Sequence, residues 1–338
     1  MSNEPKILDT IIKEIVCNKD VHDLLLKPDV AHPYREIVQF QIDECTDNGT
    51  TIEEEGFQIG EPFDGDIENA PILFLSSNPA FNFDEVSPRY FPASGKIFMP
   101  AHIDTAKKAE YSAGEYSLEE IKKKLTVPQK EMTFEEIKDF FTTRIQTSQV
   151  RKENAETLYI PLKDGGTFAV HYWGCVRNNT ELLLPPALTS QWNDLSRSQR
   201  AREIMKYAVC MEIVPFRSNG EEGVDNAKNT CWDVFTKHLL ALSDASVIVL
   251  VGDKVLDCFT SKIASDAMGT LDGHNICRCT IGGKERLVVK VDFAQGSFSK
   301  FQTFFDGKIF DSEKNITVID ALKNAVANSL FVQKALHI

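Results

Sequence analysis

Three stretches of the chain are apolar almost without interruption, and each ends abruptly in polar residues. Residues 72–75 run into Ser76-Ser77-Asn78-Pro79, residues 208–214 into Pro215-Phe216-Arg217-Ser218-Asn219-Gly220, and residues 246–251 into Gly252-Asp253. Short apolar runs that do not alternate are what a strand shows when both of its faces are covered. Residues 277–281 and 286–291 flank Gly282-Gly283, the form of a hairpin. Between these strands the spacing is helical, over 7–26, 33–45, 117–125, 133–149, 168–184, 226–242, 254–266, 298–305 and 319–334. The acidic, Gly-rich tract 46–69 reads as a loop or irregular hairpin. Residues 78–116 show no period and carry Pro79, Pro88, Pro92 and Pro100, so a long functional loop is expected there.

Strands separated by helical segments predict an α/β layer with a largely parallel sheet. In open sheets of that kind, ligands bind beyond the carboxyl ends of the strands. "SSNPAFN" and "PFRSNG" are polar turns at two of those ends, so the search for chemistry starts with them.

Charge narrows the choice of partner. With 37 basic and 50 acidic residues among 338, the net charge is −13, which repels phosphates. Lys122-Lys123-Lys124 is too short to form a basic groove and reads as a solvated helix face. The acidic surface leaves room for a protein partner. Eight cysteines lie scattered without framework spacing and read as small buried hydrophobes in a reducing compartment. Cys277 and Cys279 share one side of a strand, and His171 and Cys175 share a helix face. Neither pair has a second pair at metal spacing, and the core is the simpler home for them. No metal and no cofactor is implied. The opening "MSNEPKILDTIIKEI" is amphipathic and acidic, so neither a signal peptide nor a membrane span is expected, and a cytoplasmic location is.

"LFLSSNPAFN", then a strand ending near Val-Pro-Phe-Arg, then "VIVLVGDKVLDCF" and "VVKVDFAQGSFSKF", together resemble the uracil-DNA glycosylase superfamily. The likeness is greatest to its mismatch-specific uracil/thymine branch, whose first motif is Gly-x-Asn-Pro-Gly; Asn78-Pro79 matches the Asn-Pro pair. The resemblance implies an α/β three-layer sandwich with a mainly parallel central sheet. It implies a helical extension at 1–60, a glycosylase-like domain at 61–310 with an insertion at about 83–165, and a C-terminal helix in 311–338 packed on the domain. The insertion is expected to be a helical lid.

The departures from the family are specific. Ser77 stands where the family has Ile or Gln, Ala80 replaces Gly or Tyr, and the aromatic Phe81 comes one residue late. Glu212 falls where an Asn reads the base edge. The last motif is Asp292-Phe293-Ala294-Gln295-Gly296-Ser297, without the family's His or Pro.

The implied activity is recognition of a base in DNA, with hydrolysis of its N-glycosidic bond. The alternatives are a non-catalytic nucleotide or nucleic-acid binding module and a hydrolase of a small nucleoside-like molecule. Such chemistry needs a water held under the sugar carbon and donors for the departing base. Asn78 is a catalytic candidate that positions the water, or else it builds an Asx turn with Pro79. Asp292 is the second catalytic candidate, or a turn acid. Phe81 stacks on the base or packs under its own loop. Ser77 completes the pocket. Glu212, ionised, accepts from an amino-bearing base, or pairs with Arg217. Arg217, Gln295 and Ser297 complete the substrate-binding set, the last two as donors to the leaving group.

Overall fold

The computed structural model describes residues 4–27, 29–80, 86–103, 120, 123, 125–157, 171–195, 197–263, 276–294 and 297–337. The N-terminal part holds helices α1 (Glu4–Val16), α2 (Lys19–Leu26), α3 (Arg35–Asp47) and α4 (Ile52–Glu55), then strands β1 (Phe57–Gln58) and β2 (Ile72–Ser76). Short strands β3 (Arg89–Phe91), β4 (Lys96–Met99), β5 (His102–Ile103), β6 (Thr126–Val127) and β7 (Lys130–Glu131) lead to helices α5 (Phe134–Thr157), α6 (His171–Leu183), α7 (Pro186–Thr189) and α8 (Arg197–Met205). Next come β8 (Ala208–Glu212), α9 (Val224–Cys231), α10 (Lys237–Leu242), β9 (Val247–Val251) and α11 (Asp253–Lys262). The chain closes with β10 (Ile276–Ile281), β11 (Lys284–Val291), β12 (Phe293–Ala294), β13 (Ser297–Phe298), α12 (Phe301–Phe304), β14 (Ile309–Asp311), β15 (Ile316–Thr317), α13 (Val318–Ala327) and α14 (Leu330–Ala335).

The fold is α/β. Its five-stranded sheet has the order β10-β11-β9-β2-β8. The pairs β2–β8, β2–β9 and β9–β11 are parallel, and β10 is an antiparallel edge strand joined to β11 by the Gly282-Gly283 turn. Along the four parallel strands the chain order is second, first, third, fourth. The winding therefore reverses between β2 and β9, which is where open sheets of this kind hold ligands.

Every residue of β2 and β9 is buried, and alternate residues serve opposite faces. Leu73, Leu75, Val209, Met211, Ile248 and Leu250 join one core cluster with residues of α1, α2, α3, α9, α10 and α11. Ile72, Phe74, Cys210, Val247, Val249 and Val289 join a second with residues of α6, α8, α12, α13 and α14. The N-terminal helices thus share a core with the sheet, through Leu8, Ile12, Val21, Leu25, Ile37 and Val38. Among the described residues no helix is long and apolar enough to cross a membrane.

Several local expectations are corrected. The 7–26 segment is two helices, because the Asn18 side chain accepts from the Val21 amide and restarts the turn as an N-cap. Residues 86–103 are not aperiodic loop. They supply β3 and β4 to a small sheet of order β1-β3-β4-β7, in strands of 3 and 4 residues, too short for periodicity to reveal. The 226–242 helix starts at Val224 and passes through a π-helical turn at Trp232–Thr236, where Thr236 donates to the Ile213 carbonyl at 2.9 Å. The C-terminal segment is a β14–β15 hairpin and two helices, with Ser329 capping the second. Helix α8 is not expected from the pattern, because "RSQRAREIM" is mostly polar and buries only Ala201, Ile204 and Met205. Most of 117–125 lies outside the described residues.

The tract 46–69 departs furthest from expectation. Residues 56–65 are buried throughout, although Glu61 and Asp64 are among them. Asp64 pairs its backbone with Cys210 in both directions, at 2.8 and 2.9 Å, and Glu61 donates to the Pro215 carbonyl at 2.7 Å. This segment covers the open edge of β8, a position that a sheet must protect. Helix α5 packs against this segment, where the Gly65 amide donates to the Phe141 carbonyl, with Ile137 and Phe141 in one cluster and Ile145 in the other.

Candidate functional site

The carboxyl ends of β2 and β8 lie side by side, with Ser76 and Glu212 as their last register pair. Pairing continues past the strands, since Ile213 donates to the Ser76 carbonyl and Val214 to the Ser77 carbonyl, each at 2.9 Å. The two polar turns therefore leave the sheet together. They are then tied to each other. Ala80 forms a parallel bridge with Ser218, and Arg217 donates to the Ala80 carbonyl at 2.9 Å.

Asn78 sits inside this tie, half-buried. Its Nδ2 donates to Ser218 Oγ at 3.0 Å, to the Ser218 carbonyl at 3.2 Å and to the Pro79 carbonyl at 3.3 Å. Backbone carbonyls can only accept, so they fix which end of the amide is nitrogen. Oδ1 is left with one contact among the described residues, a long 3.5 Å approach of Ser77 Oγ. The Asn-Pro turn and an Oδ1 with spare acceptor capacity are thus compatible. Ser77, half-buried, flanks that acceptor.

Arg217 is placed differently from a ligand-facing residue. Its side chain is 2 % exposed and pairs with Glu61. Arg144 of α5 pairs with the same carboxylate and approaches Asp64 at 3.5 Å. Glu212 borders this group. The residue is partly exposed, yet its Oε2 is buried and has no hydrogen-bond partner. Burial pushes the Glu212 carboxyl well above the usual carboxylate range, and Glu61 and Asp64 push it the same way against Arg217. A carboxylate inside this strand needs a partner or a raised pKa, and burial with two like charges favours the second: a neutral acid donates as well as accepts. Arg217, its expected partner, is occupied by Glu61.

On the same side of the sheet, Tyr172 of α6 hydrogen-bonds Ser76 Oγ at 2.5 Å. Burial holds both the Tyr172 hydroxyl and the nearby Cys210 thiol well above their usual pKa ranges, which favours the protonated form of each.

Asp292 does not join Asn78. It ends β11, with β9 intervening between β11 and β2, and its exposed carboxylate accepts from Lys290. Lys290 also holds Asp253, at 2.7 Å, in the first turn of α11. Beside them Gly252 has φ +95°, which favours glycine, and Phe293 is 50 % exposed. Ser297 lies in β13 opposite Ala294. Phe81 and Gln295 lie outside the described residues. Trp173 packs edge-on against Tyr172, and Cys175 is packed against the second core cluster, as a core reading of that helix expects. All eight cysteines are free thiols. Among the described residues no group of three or more His, Cys, Asp or Glu side chains is placed to hold a metal ion.

Glu61, Asp64, Arg144, Tyr172 and Ser218 were not singled out for the site. Phe57, Ile59, Phe63 and Ile67, apolar at odd spacings within the acidic tract, carried a signal that it is buried. A buried acidic tract needs arginines, and those were legible only as separate residues. Comparison with protein-family models, with curated proteins and with solved structures finds no match for this chain.

Proposed function

We propose that the carboxyl edge around Asn78 recognises a nucleobase attached to a sugar and hydrolyses its N-glycosidic bond. On this reading the chain is a divergent member of the uracil-DNA glycosylase superfamily, and the sheet with helices on both faces is that family's three-layer sandwich. The observation that carries the proposal is the held amide of Asn78, whose nitrogen is engaged by the Ser218 and Pro79 carbonyls while Oδ1 remains an available acceptor. An amide cannot deprotonate water, but an acceptor fixed in place can orient one for attack on the sugar carbon. The departing base carries negative charge. An ionised Glu212 would repel it; the neutral acid does not.

The overall charge of −13 favours a small nucleoside over a base within DNA, because it repels a backbone of phosphates. Calorimetric titration with free bases, nucleosides and short single-stranded DNA tests the proposal. Nucleosides should bind, and the same base in DNA should bind more weakly and lose affinity with salt. If none of the three binds, the proposal fails.

A further inference from the structure

Three carboxylates and two guanidiniums gather where four parts of the chain converge: Glu61 and Asp64 from the edge-covering segment, Arg144 from α5, Glu212 from β8 and Arg217 from the turn after it. Ser76 of β2, Tyr172 of α6 and the Cys210 thiol complete the surroundings of Glu212. Glu61 receives both arginines, Asp64 receives Arg144, and Glu212 Oε2 receives nothing. Among these five described groups, all ionised, the carboxylates outnumber the guanidiniums by one. One proton on Glu212 balances them.

Arg217 gives this arrangement a mechanical output, because the same guanidinium that holds Glu61 also holds the Ala80 carbonyl. We propose that the cluster is a one-proton switch: with Glu212 neutral, Arg217 clamps Glu61 and the 78–80 turn, and with Glu212 ionised the third carboxylate competes for Arg217 and the turn loosens. The switch goes beyond the ligand reading and does not depend on it.

The direction with pH follows from linkage. An unfolded glutamate titrates at about 4.3, so above that pH the unfolded chain releases a proton that folded Glu212 retains. Stability is full below the unfolded value and is lost as pH rises towards the raised folded value. Glu212→Gln imitates the neutral acid at every pH and removes this loss.

The test compares unfolding temperatures of wild type and Glu212→Gln from about pH 5 to about pH 9, with hydrogen exchange followed in both at Ser218, whose amide donates to the Pro79 carbonyl across the two turns. The gap in favour of the variant should widen with pH, and Ser218 exchange should accelerate more in wild type than in the variant. Parallel stability curves, or equal exchange at Ser218, would overturn the switch. The side-chain carboxyl carbon of Glu212 in wild type, read by 13C NMR near pH 7, gives an answer that needs no variant. A protonated shift supports the switch and an ionised one refutes it.

Discussion

Asn78 Nδ2 lies 3.0 Å from Ser218 Oγ, and that hydroxyl donates onward to the Glu222 carbonyl at 2.7 Å. The side-chain amide of the first polar turn is thus held by the second, across a separation of 140 residues in the sequence. Side-chain hydrogen bonds within the chain hold the two turns together. The parts of this tie can be tested separately.

Arg217 is the residue on which the tie depends most. Arg217→Ala leaves Glu61 with Arg144 alone and releases the Ala80 carbonyl. Removing one partner of a buried ion pair costs about 3–5 kcal/mol, and urea unfolding should show a loss of that size. A loss within the scatter of surface substitutions would mean that the pairing contributes little.

Gly65 tests the cover over the β8 edge. Its φ is +111°, and an added Cβ would lie 2.7 Å from the Ala208 carbonyl oxygen and 3.2 Å from Val209 Cα. Gly65→Ala should destabilise by more than about 1 kcal/mol, since neither backbone nor space accommodates it. A neutral result in chemical denaturation would show that the segment can move away from the strand.

His22 should make stability fall in acid. It stacks on Tyr90 with ring centroids 3.5 Å apart and planes 4° from parallel, joining α2 to the small sheet. Burial lowers its pKa from 6.5 to about 4, against a weaker opposing pull from Asp23. As pH falls from 6.5 to about 4, the unfolded chain takes up a proton that folded His22 refuses, so stability is lost over that window. His22→Phe keeps a stacking ring without the titration. Its melting temperature should fall less than that of wild type over the same range, and identical slopes would remove His22 from the explanation.

The sheet was legible in the sequence because 72–75, 208–214 and 246–251 are short, nearly continuous apolar runs ending in polar turns, and both features are local. Asn78 and Glu212 were legible for the same reason, one in a turn and one as a carboxylate inside a strand. The surroundings of Glu212 were not. Glu61 and Arg217 are 156 residues apart, and no spacing rule links an acidic tract to an arginine at that distance. Ser218 looked like a turn residue, and its hydroxyl matters only because the sheet order brings it beside β2. The strands of the small sheet were missed because 3 or 4 residues hold too few positions for a period to register.

The most direct test of the proposed chemistry is single-turnover release of free base from nucleosides and from uracil- or cytosine-containing single-stranded DNA, comparing wild type with Asn78→Ala. Wild type should release base from at least one of these. Asn78→Ala should bind that substrate as before and release base about 100-fold more slowly, because a positioned water matters in the transition state and not in binding. Release at an undiminished rate by Asn78→Ala, or no release by wild type from any of them, would contradict a hydrolytic role for the carboxyl edge.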